Sequence, residues 1–148
     1  MIDQEKEFTS FAFILYSCAM AFKNELNKEL YKVTSEEINI DYWFILSVLY
    51  ETDNISHGLL AERVCRDKAS LSRTLDLMEK QGLLRRNTDP NDKRGSFIVL
   101  TKKSIELRNT ALIAATDFTK NKLTGLSPIE IKELVRMINR VFNNLQGE

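Results

Sequence analysis

The chain is poor in the residues that most catalytic and metal sites require. Its 148 residues include one histidine, two cysteines, five glycines and two prolines. Cys18 and Cys65 stand 47 positions apart and form no CxxC pair, so the zinc and iron–sulfur patterns are missing. Nucleophile elbows, glycine-rich phosphate loops and paired-carboxylate sites are missing as well. We therefore predict a protein with no metal, no cofactor and no enzymatic activity.

Long hydrophobic runs are also absent. The most apolar stretch, residues 11–22, has twelve residues and is interrupted by Ser17 and Cys18, whereas a membrane-spanning helix needs about twenty. Neither a basic leader with a small-residue cleavage site nor a Lys/Arg-rich targeting tag is evident, so we expect a cytoplasmic protein without a membrane partner. The length, with 43% hydrophobic and 28% charged residues, predicts one globular domain over residues 1–148.

A net charge of zero argues against a nucleic-acid partner, but the charges are unevenly distributed. Residues 1–61 hold 4 Lys/Arg and 10 Asp/Glu, residues 62–103 hold 11 and 6, and residues 104–148 hold 6 and 5. The positive charge is therefore concentrated in the middle segment. Local cations are what a phosphate-binding surface requires, and the acidic remainder can face away from a duplex.

Residues 56–84 have the pattern of two helices joined by a tight turn. Ser56 and Asp67 are N-cap candidates for the two helices, and Gly82 is placed to end the second. The first helix carries apolar residues on one face, namely Leu59, Leu60 and Val64. The second carries an apolar stripe of Leu71, Thr74, Leu75 and Met78. This order is typical of a helix-turn-helix.

The opposite face of the second helix is polar. It presents Ala69, Arg73, Asp76 and Lys80, flanked by Ser70 and Ser72. Short hydroxyls and a forked guanidinium are the groups that bond base edges and phosphates in a major groove. We predict Ser70, Ser72 and Arg73 as DNA contacts, with Lys68 beside them. Leu77 also falls on this face, and the sequence gives no reason for it.

The segment that follows predicts a strand, a charged turn and a second strand over residues 96–100. The turn presents Lys93 and Arg94. An arginine on a narrow ribbon can enter a minor groove, where the negative potential is strongest. Asp92 is placed to orient that guanidinium through a charge-assisted pair. The alternative is a solvated hairpin turn with no partner.

Three short motifs stand out in this segment: Asp92-x-Arg94 with Leu100-Thr101 beyond it, Ser70-Leu71-Ser72-Arg73, and Met78-Glu79-x-x-Gly82-Leu83-Leu84-x-Arg86. The first resembles the wing signature of the MarR (multiple antibiotic resistance regulator) family of winged helix-turn-helix transcriptional regulators. The second resembles the start of that family's recognition helix, and the third resembles the segment that joins this helix to the wing. One departure is Ser104, where the family often has glycine. The resemblance implies a mainly α fold with a small β wing, and we add Arg86 to the predicted DNA contacts.

The resemblance also implies terminal helices that interlock two subunits, at about residues 8–32 and 102–146, around a DNA-binding lobe at about 40–101. The sequence agrees, because the first segment has apolar residues every three or four positions and residues 127–130 form a capping-box pattern. We expect a homodimer on a pseudo-palindromic operator in double-stranded DNA, with recognition helices on the order of 34 Å apart. The alternative is a monomer that folds these helices onto itself.

Family members commonly bind a small aromatic or phenolic ligand that weakens their hold on DNA. The resemblance therefore implies a repressor that is released by such an effector. The candidate pocket residues are Phe13, Tyr16, Tyr42, Trp43 and Phe44. Aromatic residues at helical spacing also fit an ordinary hydrophobic core.

Two other functions stay open at this point. The same scaffold can dock a protein partner without specific DNA binding, or a cysteine can make the regulator redox-sensitive. Cysteines in a cytoplasmic chain are most often buried thiols, and the sensing cysteine of peroxide-responsive family members would align with Ala12 rather than with Cys18. Cys65, at the turn before the second helix, is the other candidate. His57 has no cysteine or carboxylate at ligand spacing and is expected to be an exposed polar residue.

Overall fold

The computed structural model describes residues 2–35, 37–88, 91 and 96–147, with side chains from residue 5 onwards in the first helix. Within these residues the elements are α1 Ile2–Val33, α2 Ile40–Glu51, β1 Ile55–Ser56, α3 His57–Arg63, α4 Lys68–Lys80, β2 Leu84–Thr88, β3 Ser96–Leu100, α5 Lys102–Lys122 and α6 Pro128–Gln146. They form two compact units, Met1–Ala115 and Thr116–Glu148. The predicted fold class, mainly helical with a small β wing, is confirmed.

The three strands form one antiparallel sheet in the order β1-β3-β2. β2 and β3 pair over their full length, with Leu84 opposite Leu100, and β1 adds two residues at the other edge of β3. Ile98, in the middle of β3, is fully buried and anchors the sheet on the core. The predicted hairpin of the wing is confirmed in its strands, while residues 92–95 of its turn lie outside the described residues.

Side-chain caps begin three helices where the sequence predicted them. Ser56 and Asp67 each accept a hydrogen bond from the backbone N–H three residues on, at 3.3 Å and 2.8 Å, and so begin α3 and α4. At α6 the Ser127 hydroxyl accepts from the Glu130 N–H, and the Glu130 carboxylate accepts from the Ser127 N–H. Each cap satisfies backbone donors that have no partner inside the helix.

Helix α4 ends in a Schellman motif at Gly82, which has a φ of +73°. The Gly82 N–H donates to the Glu79 carbonyl and the Leu83 N–H donates to the Met78 carbonyl, both at 2.9 Å. Glycine adopts this left-handed conformation without the steric penalty of a Cβ atom. The predicted helix end is confirmed, and it directs the chain into β2.

The core of the first unit lies where α2, α3 and α4 meet the sheet. Its largest fully buried side chains are Leu30, Ile38, Ile45, Leu46, Leu49, Leu60, Leu71, Leu75, Met78, Leu83, Leu84 and Ile98. The sequence placed Leu59 on the apolar face of α3 together with Leu60. This prediction was wrong, because the Leu59 side chain is 41% exposed. The buried face of α3 is formed by Leu60 and Ala61, and Leu59 lies about 100° around the helix from Leu60.

Two helices keep most of their large apolar side chains exposed. In α1, Leu26 and Leu30 are buried, but large apolar side chains nearer the start of the helix are exposed. The exposed residues there are Phe8, Phe11, Phe13, Ile14, Tyr16 and Met20. In the second unit, the exposed apolar residues of α6 are Ile129, Leu134, Val135, Met137, Ile138, Phe142 and Leu145. Among the described residues, no helix combines the length and the apolar composition that a bilayer crossing needs.

Candidate nucleic-acid interface

Helix α4 is held by one face and presents the opposite one. Leu71, Leu75 and Met78 are fully buried, which fixes the rotation of the helix about its axis. The residues predicted for the other face are all exposed, namely Ala69, Arg73, Asp76 and Lys80. Leu77 is 53% exposed on the same side. The helix therefore has the disposition that a recognition helix requires, with one anchored face and one free face.

The first two turns of α4 carry the other predicted contact residues. Lys68 is exposed, and Ser70 and Ser72 are half-buried at the flanks of the exposed face. The turn before α4 is joined to the helix by one side-chain contact, because the Arg66 guanidinium lies 3.5 Å from the Thr74 hydroxyl oxygen. These polar side chains are thus gathered at the start of one firmly seated helix.

Arg86, on β2, differs from the other predicted contacts. Its Nη1 atom lies 2.6 Å from the Asp76 carboxylate and 3.2 Å from the Glu79 carboxylate. Its Nη2 atom donates to the Ser72 backbone carbonyl at 3.3 Å. The side chain is 24% exposed. The guanidinium is therefore turned toward α4 and bonded to acceptors of the protein itself.

Arg85 is an exposed cation that the sequence analysis missed. Side chains alternate between the two faces of a strand, so Arg85 and Arg86 point to opposite faces of β2. Two successive arginines in a strand therefore predict that one of them faces solvent. The pattern alone does not tell which of the two it is.

His57 is half-buried, and the prediction of an exposed polar residue was wrong. It is the first residue of α3, beside the sheet, where its ring packs instead of extending into solvent. Within the described part of the chain, its Nε2 atom is buried and has no hydrogen-bond partner. Burial, followed by the positive charges of Arg86 and Lys68, lowers its pKa. The neutral imidazole is therefore the favoured form.

The base of the wing is tied to the rest of the lobe by two side chains. The Asp53 carboxylate accepts a hydrogen bond from the Leu100 N–H at 3.0 Å. The Thr101 hydroxyl donates to the Gly82 carbonyl at 2.6 Å. The Leu100-Thr101 pair of the wing signature thus joins β3 to the end of α4, which fixes the direction in which the hairpin leaves the lobe.

Ser104, the departure from the family pattern, is fully buried at the start of α5. Its hydroxyl donates to the Thr101 carbonyl at 2.9 Å and accepts from the Thr101 N–H at 3.2 Å. Its carbonyl accepts a hydrogen bond from the Tyr50 hydroxyl. The Arg108 guanidinium stacks on the Tyr50 ring, and burial raises the pKa of Tyr50 to about 12. Serine is thus accommodated here by its own hydrogen bonds.

The predicted wing contacts Asp92, Lys93 and Arg94 lie outside the described residues. Their role in DNA binding, and the pairing of Asp92 with Arg94, stay predictions.

The five aromatic residues predicted as an effector pocket differ in exposure, and their role in effector binding stays a prediction. Tyr42 and Trp43 are buried in the core, whereas Phe13 and Tyr16 are exposed on α1. The difference arises because α2 is buried on several sides, so two adjacent aromatic residues can both face the core. Of the five residues, only Phe44 lines the apolar cavity described next.

This cavity lies between α1 and α2 and has a volume of about 440 Å³. It is lined by Leu15, Cys18, Ala19, Phe22, Lys23, Ile40, Asp41 and Phe44. The Lys23 ammonium lies 3.5 Å from the Asp41 carboxylate, so the apolar cavity has one charged wall. Apart from Phe44, the sequence analysis did not identify these residues, because the cavity depends on how the two helices cross.

Both cysteines are exposed, and the expectation of buried thiols was wrong. Cys18 lies on α1 in the lining of the cavity, and Cys65 has a φ of +53° in the turn between α3 and α4. Among the described residues, no group of three or more histidine, cysteine, aspartate or glutamate side chains is placed to hold a metal ion.

Known proteins resemble this chain in sequence and in fold. Residues 38–96, which run from before α2 to the start of β3, match the family model described as "MarR family". The uncharacterized HTH-type transcriptional regulator YdgJ from Bacillus subtilis (strain 168) is 30% identical over 103 residues, which are 70% of this chain. The chain spans 63% of the length of that relative.

Solved structures share the fold over most of the chain. A MarR family transcriptional regulator from Streptomyces coelicolor, in complex with DNA, aligns with a TM-score of 0.84 at 24% identity, over 97% of this chain and 89% of that one. The transcriptional regulator PA3341 aligns with a TM-score of 0.78 at 27% identity, over 93% of this chain and 99% of that one. The segment that the family model matches, residues 38–96, contains the helix-turn-helix and β2 of the wing, so the chain carries a MarR family segment there.

Proposed function

We propose that the chain acts as a dimeric, sequence-specific DNA-binding transcriptional regulator. The observation that carries the proposal is the disposition of α4, because Leu71 and Leu75 hold one face in the core while Arg73 and Lys80 are exposed on the other. Helix-turn-helix proteins read a major groove with a helix held in this way. The protein then functions by binding rather than as an enzyme, in the cytoplasm and without a cofactor.

In this proposal α4 makes the major-groove contacts. Arg73 stands in the middle of the exposed face, and its guanidinium suits the O6 and N7 acceptors of guanine. Ser70 and Ser72 supply short hydroxyls beside it. Lys68 and Lys80, at the two ends of the helix, are placed for phosphates, which fix register and orientation.

The wing makes the minor-groove contact. Arg94 enters the groove, Asp92 orients its guanidinium, and Lys93 adds a nearby cation. The exposed Arg85 on β2 extends the positive surface along the hairpin. Support comes from the wing signature and from the hydrogen bonds that fix the base of the hairpin. The DNA complex of the Streptomyces coelicolor relative agrees with this class of partner.

A second copy of the chain covers the exposed apolar residues of α1 and α6. Soluble monomers rarely expose so many large apolar side chains together, and α6 carries them as the stripe of an amphipathic, well-capped helix. Two copies related by a twofold axis present two recognition helices, which predicts a pseudo-palindromic operator with half-sites on the order of 34 Å apart.

A small aromatic effector controls DNA binding, and the protein is a repressor that the effector releases. The cavity between α1 and α2 is apolar apart from Lys23 and Asp41, and its size falls in the range of small-molecule sites, roughly 300–1,000 Å³. Phe44 supplies an aromatic face, and the Lys23 ammonium can pair with a carboxylate or phenolate.

A redox-sensitive regulator is the second candidate, because both cysteines are exposed and Cys18 lines the same cavity. Treating the reduced protein with hydrogen peroxide distinguishes the two mechanisms. Unchanged operator affinity after thiol oxidation excludes the redox mechanism and leaves the effector mechanism in place.

The test of the proposed function is selection of bound duplexes from a pool of random sequence. A dimeric regulator enriches an inverted repeat with half-sites about 10 bp apart, and Arg73→Ala changes the bases preferred in each half-site. Recovery of unrelated sequences with equal, salt-sensitive affinity contradicts the proposal and favours a protein-interaction module.

A further inference from the structure

We infer that Arg86 is a positioning residue that locks the recognition helix α4 to the wing strand β2, and that it does not contact DNA. The inference rests on the proposed function, because it concerns how the DNA-reading face is held. It reverses the role that the sequence suggested for this arginine.

One arginine joins three groups of α4. The guanidinium bonds the Asp76 and Glu79 carboxylates through Nη1, at 2.6 Å and 3.2 Å, and the Ser72 carbonyl through Nη2, at 3.3 Å. Ser72, Asp76 and Glu79 lie on adjacent turns along one side of α4. A planar guanidinium can reach all three at once because its five N–H groups diverge in a fixed fork.

The backbone of Arg86 takes part as well. β2 is an edge strand, with β3 on one side only. The Arg86 N–H donates to the second oxygen of the Glu79 carboxylate at 3.0 Å. Glu79 therefore binds the side chain and the main chain of the same residue. Sliding β2 along α4, or rotating the wing away from it, breaks both bonds together.

The same contacts mask negative charge beside the proposed DNA surface. Asp76 and Glu79 are both exposed on α4, and free carboxylates there would repel the phosphates of a bound duplex. With Arg86 between them, the three side chains carry a net charge of −1 in place of −2. A phosphate contact by Arg86 would require it to leave these carboxylates and restore the repulsion.

Three other cations among the described residues of the lobe differ from Arg86 in exposure. Lys68, Arg73 and Arg85 are exposed, whereas the Arg86 side chain is mostly covered. The guanidinium thus joins β2 to α4.

The test uses the double variant R86Q/E79Q, which removes the bridge but preserves the net charge of the cluster. Binding to the selected operator and to a scrambled duplex is measured by fluorescence anisotropy at several salt concentrations. Positioning predicts that the preference for the operator falls about tenfold or more, the order of one mismatched base pair. Affinity for the scrambled duplex and the slope of log K against log salt stay unchanged, because no phosphate contact has been removed.

The opposite result overturns the inference. If Arg86 neutralises a phosphate, both duplexes lose affinity equally and the salt slope becomes shallower by about 0.9. An unchanged operator preference also overturns it. The matched control is E133Q/R136Q, which removes an exposed ion pair within α6 with the same conservation of charge and leaves binding unchanged.

A second variant keeps the test decisive if R86Q/E79Q does not fold, as judged by circular dichroism. Arg86→Lys retains the positive charge but not the planar fork. Positioning predicts that this variant loses operator preference and keeps affinity for the scrambled duplex. Retention of full operator preference by Arg86→Lys contradicts the positioning role.

Discussion

The Tyr50 hydroxyl donates a hydrogen bond to the backbone carbonyl of Ser104, so the end of α2 is joined to the first turn of α5. The Arg108 guanidinium lies 4.2 Å from the centre of the Tyr50 ring and closes the contact from the α5 side. Tyr50→Phe keeps the ring and removes the hydrogen bond. We expect a loss of about 1 kcal/mol in the free energy of unfolding, measured by urea denaturation.

The same tyrosine predicts a loss of stability in alkali. Burial raises its folded-state pKa from 10.0 to about 12. A group with a raised pKa contributes stability that is fully present below pH 10 and disappears as the pH rises through 12. Thermal denaturation of the wild type should therefore show a midpoint that falls across this window. If Tyr50→Phe shows the same fall, the dependence belongs to other groups.

His57 makes the DNA-binding lobe sensitive to acid. Its pKa is lowered from 6.5 by burial and by the charges of Arg86 and Lys68. Below pH 6.5 the His57 ring takes up a proton more readily in the unfolded chain than in the folded protein. The free energy of unfolding therefore decreases as the pH falls through this region. His57→Gln removes the effect, which is measured as the melting temperature between pH 5 and pH 8. Since His57 is the only histidine, its ring resonances in an NMR titration report this pKa directly.

Replacing each of two glycines of the helix-turn-helix by alanine should have opposite effects on the free energy of unfolding. At both positions a Cβ atom would meet nothing within 4 Å, so packing does not decide the outcome. Gly82→Ala must keep a φ of +73° and should destabilise the protein by about 1 kcal/mol. Gly58→Ala lies inside α3 and should stabilise it by about 0.5–1 kcal/mol. Equal effects at the two sites, measured by urea denaturation, would show that backbone conformation is not the cause.

From the position of Leu77 we expect the operator to prefer thymine at the base pair that this side chain contacts. It follows Ser70 and Arg73 along one stripe of the exposed face of α4, and it is the large apolar residue of that stripe. In a major groove, the apolar group available to such a side chain is the C5-methyl of thymine. Replacing each operator thymine by uracil in turn should weaken wild-type binding several-fold at one position. Leu77→Ala should bind the two duplexes equally, and a thymine effect of unchanged size in this variant would exclude Leu77.

The cavity between α1 and α2 predicts an effector of a particular chemistry. Benzoate, which has an aromatic ring and one carboxylate, should raise the melting temperature of the wild type and weaken operator binding. Lys23→Gln removes the cation that pairs with the carboxylate, and Phe44→Ala removes one of the two aromatic side chains that line the cavity. Both variants should lose the response to benzoate and keep operator binding without it. A full response in both variants would place the effector elsewhere.

Local signals in the sequence predicted most of the DNA-binding lobe. Ser56 and Asp67 were identified as caps because a short polar side chain must satisfy the first N–H groups of a helix, and Gly82 was identified as a helix end for the matching reason at the other terminus. These features depend on neighbours within a few residues. They can therefore be inferred without knowing the tertiary structure.

Features that depend on tertiary contacts could not be predicted from the sequence. Arg86 has the composition of a DNA contact, and only the packing of β2 against α4 reveals its bonds to Asp76 and Glu79. The sequence placed the aromatic residues of α2 together as pocket candidates, and it did not show that the helix buries Trp43 and exposes Phe44. Periodicity identifies an apolar face, whereas the crossing of two helices decides whether that face fills a core or lines a cavity.

Fluorescence anisotropy with the duplex upstream of the protein's own gene tests the central claim most directly. The purified protein is titrated into that duplex and into a scrambled duplex of the same composition, at about 150 mM salt. A sequence-specific regulator binds the first duplex about 10³-fold or more tightly than the second, and Arg73→Ala reduces this preference. Equal and weak binding to both duplexes, together with a selection that enriches no inverted repeat, would contradict the account.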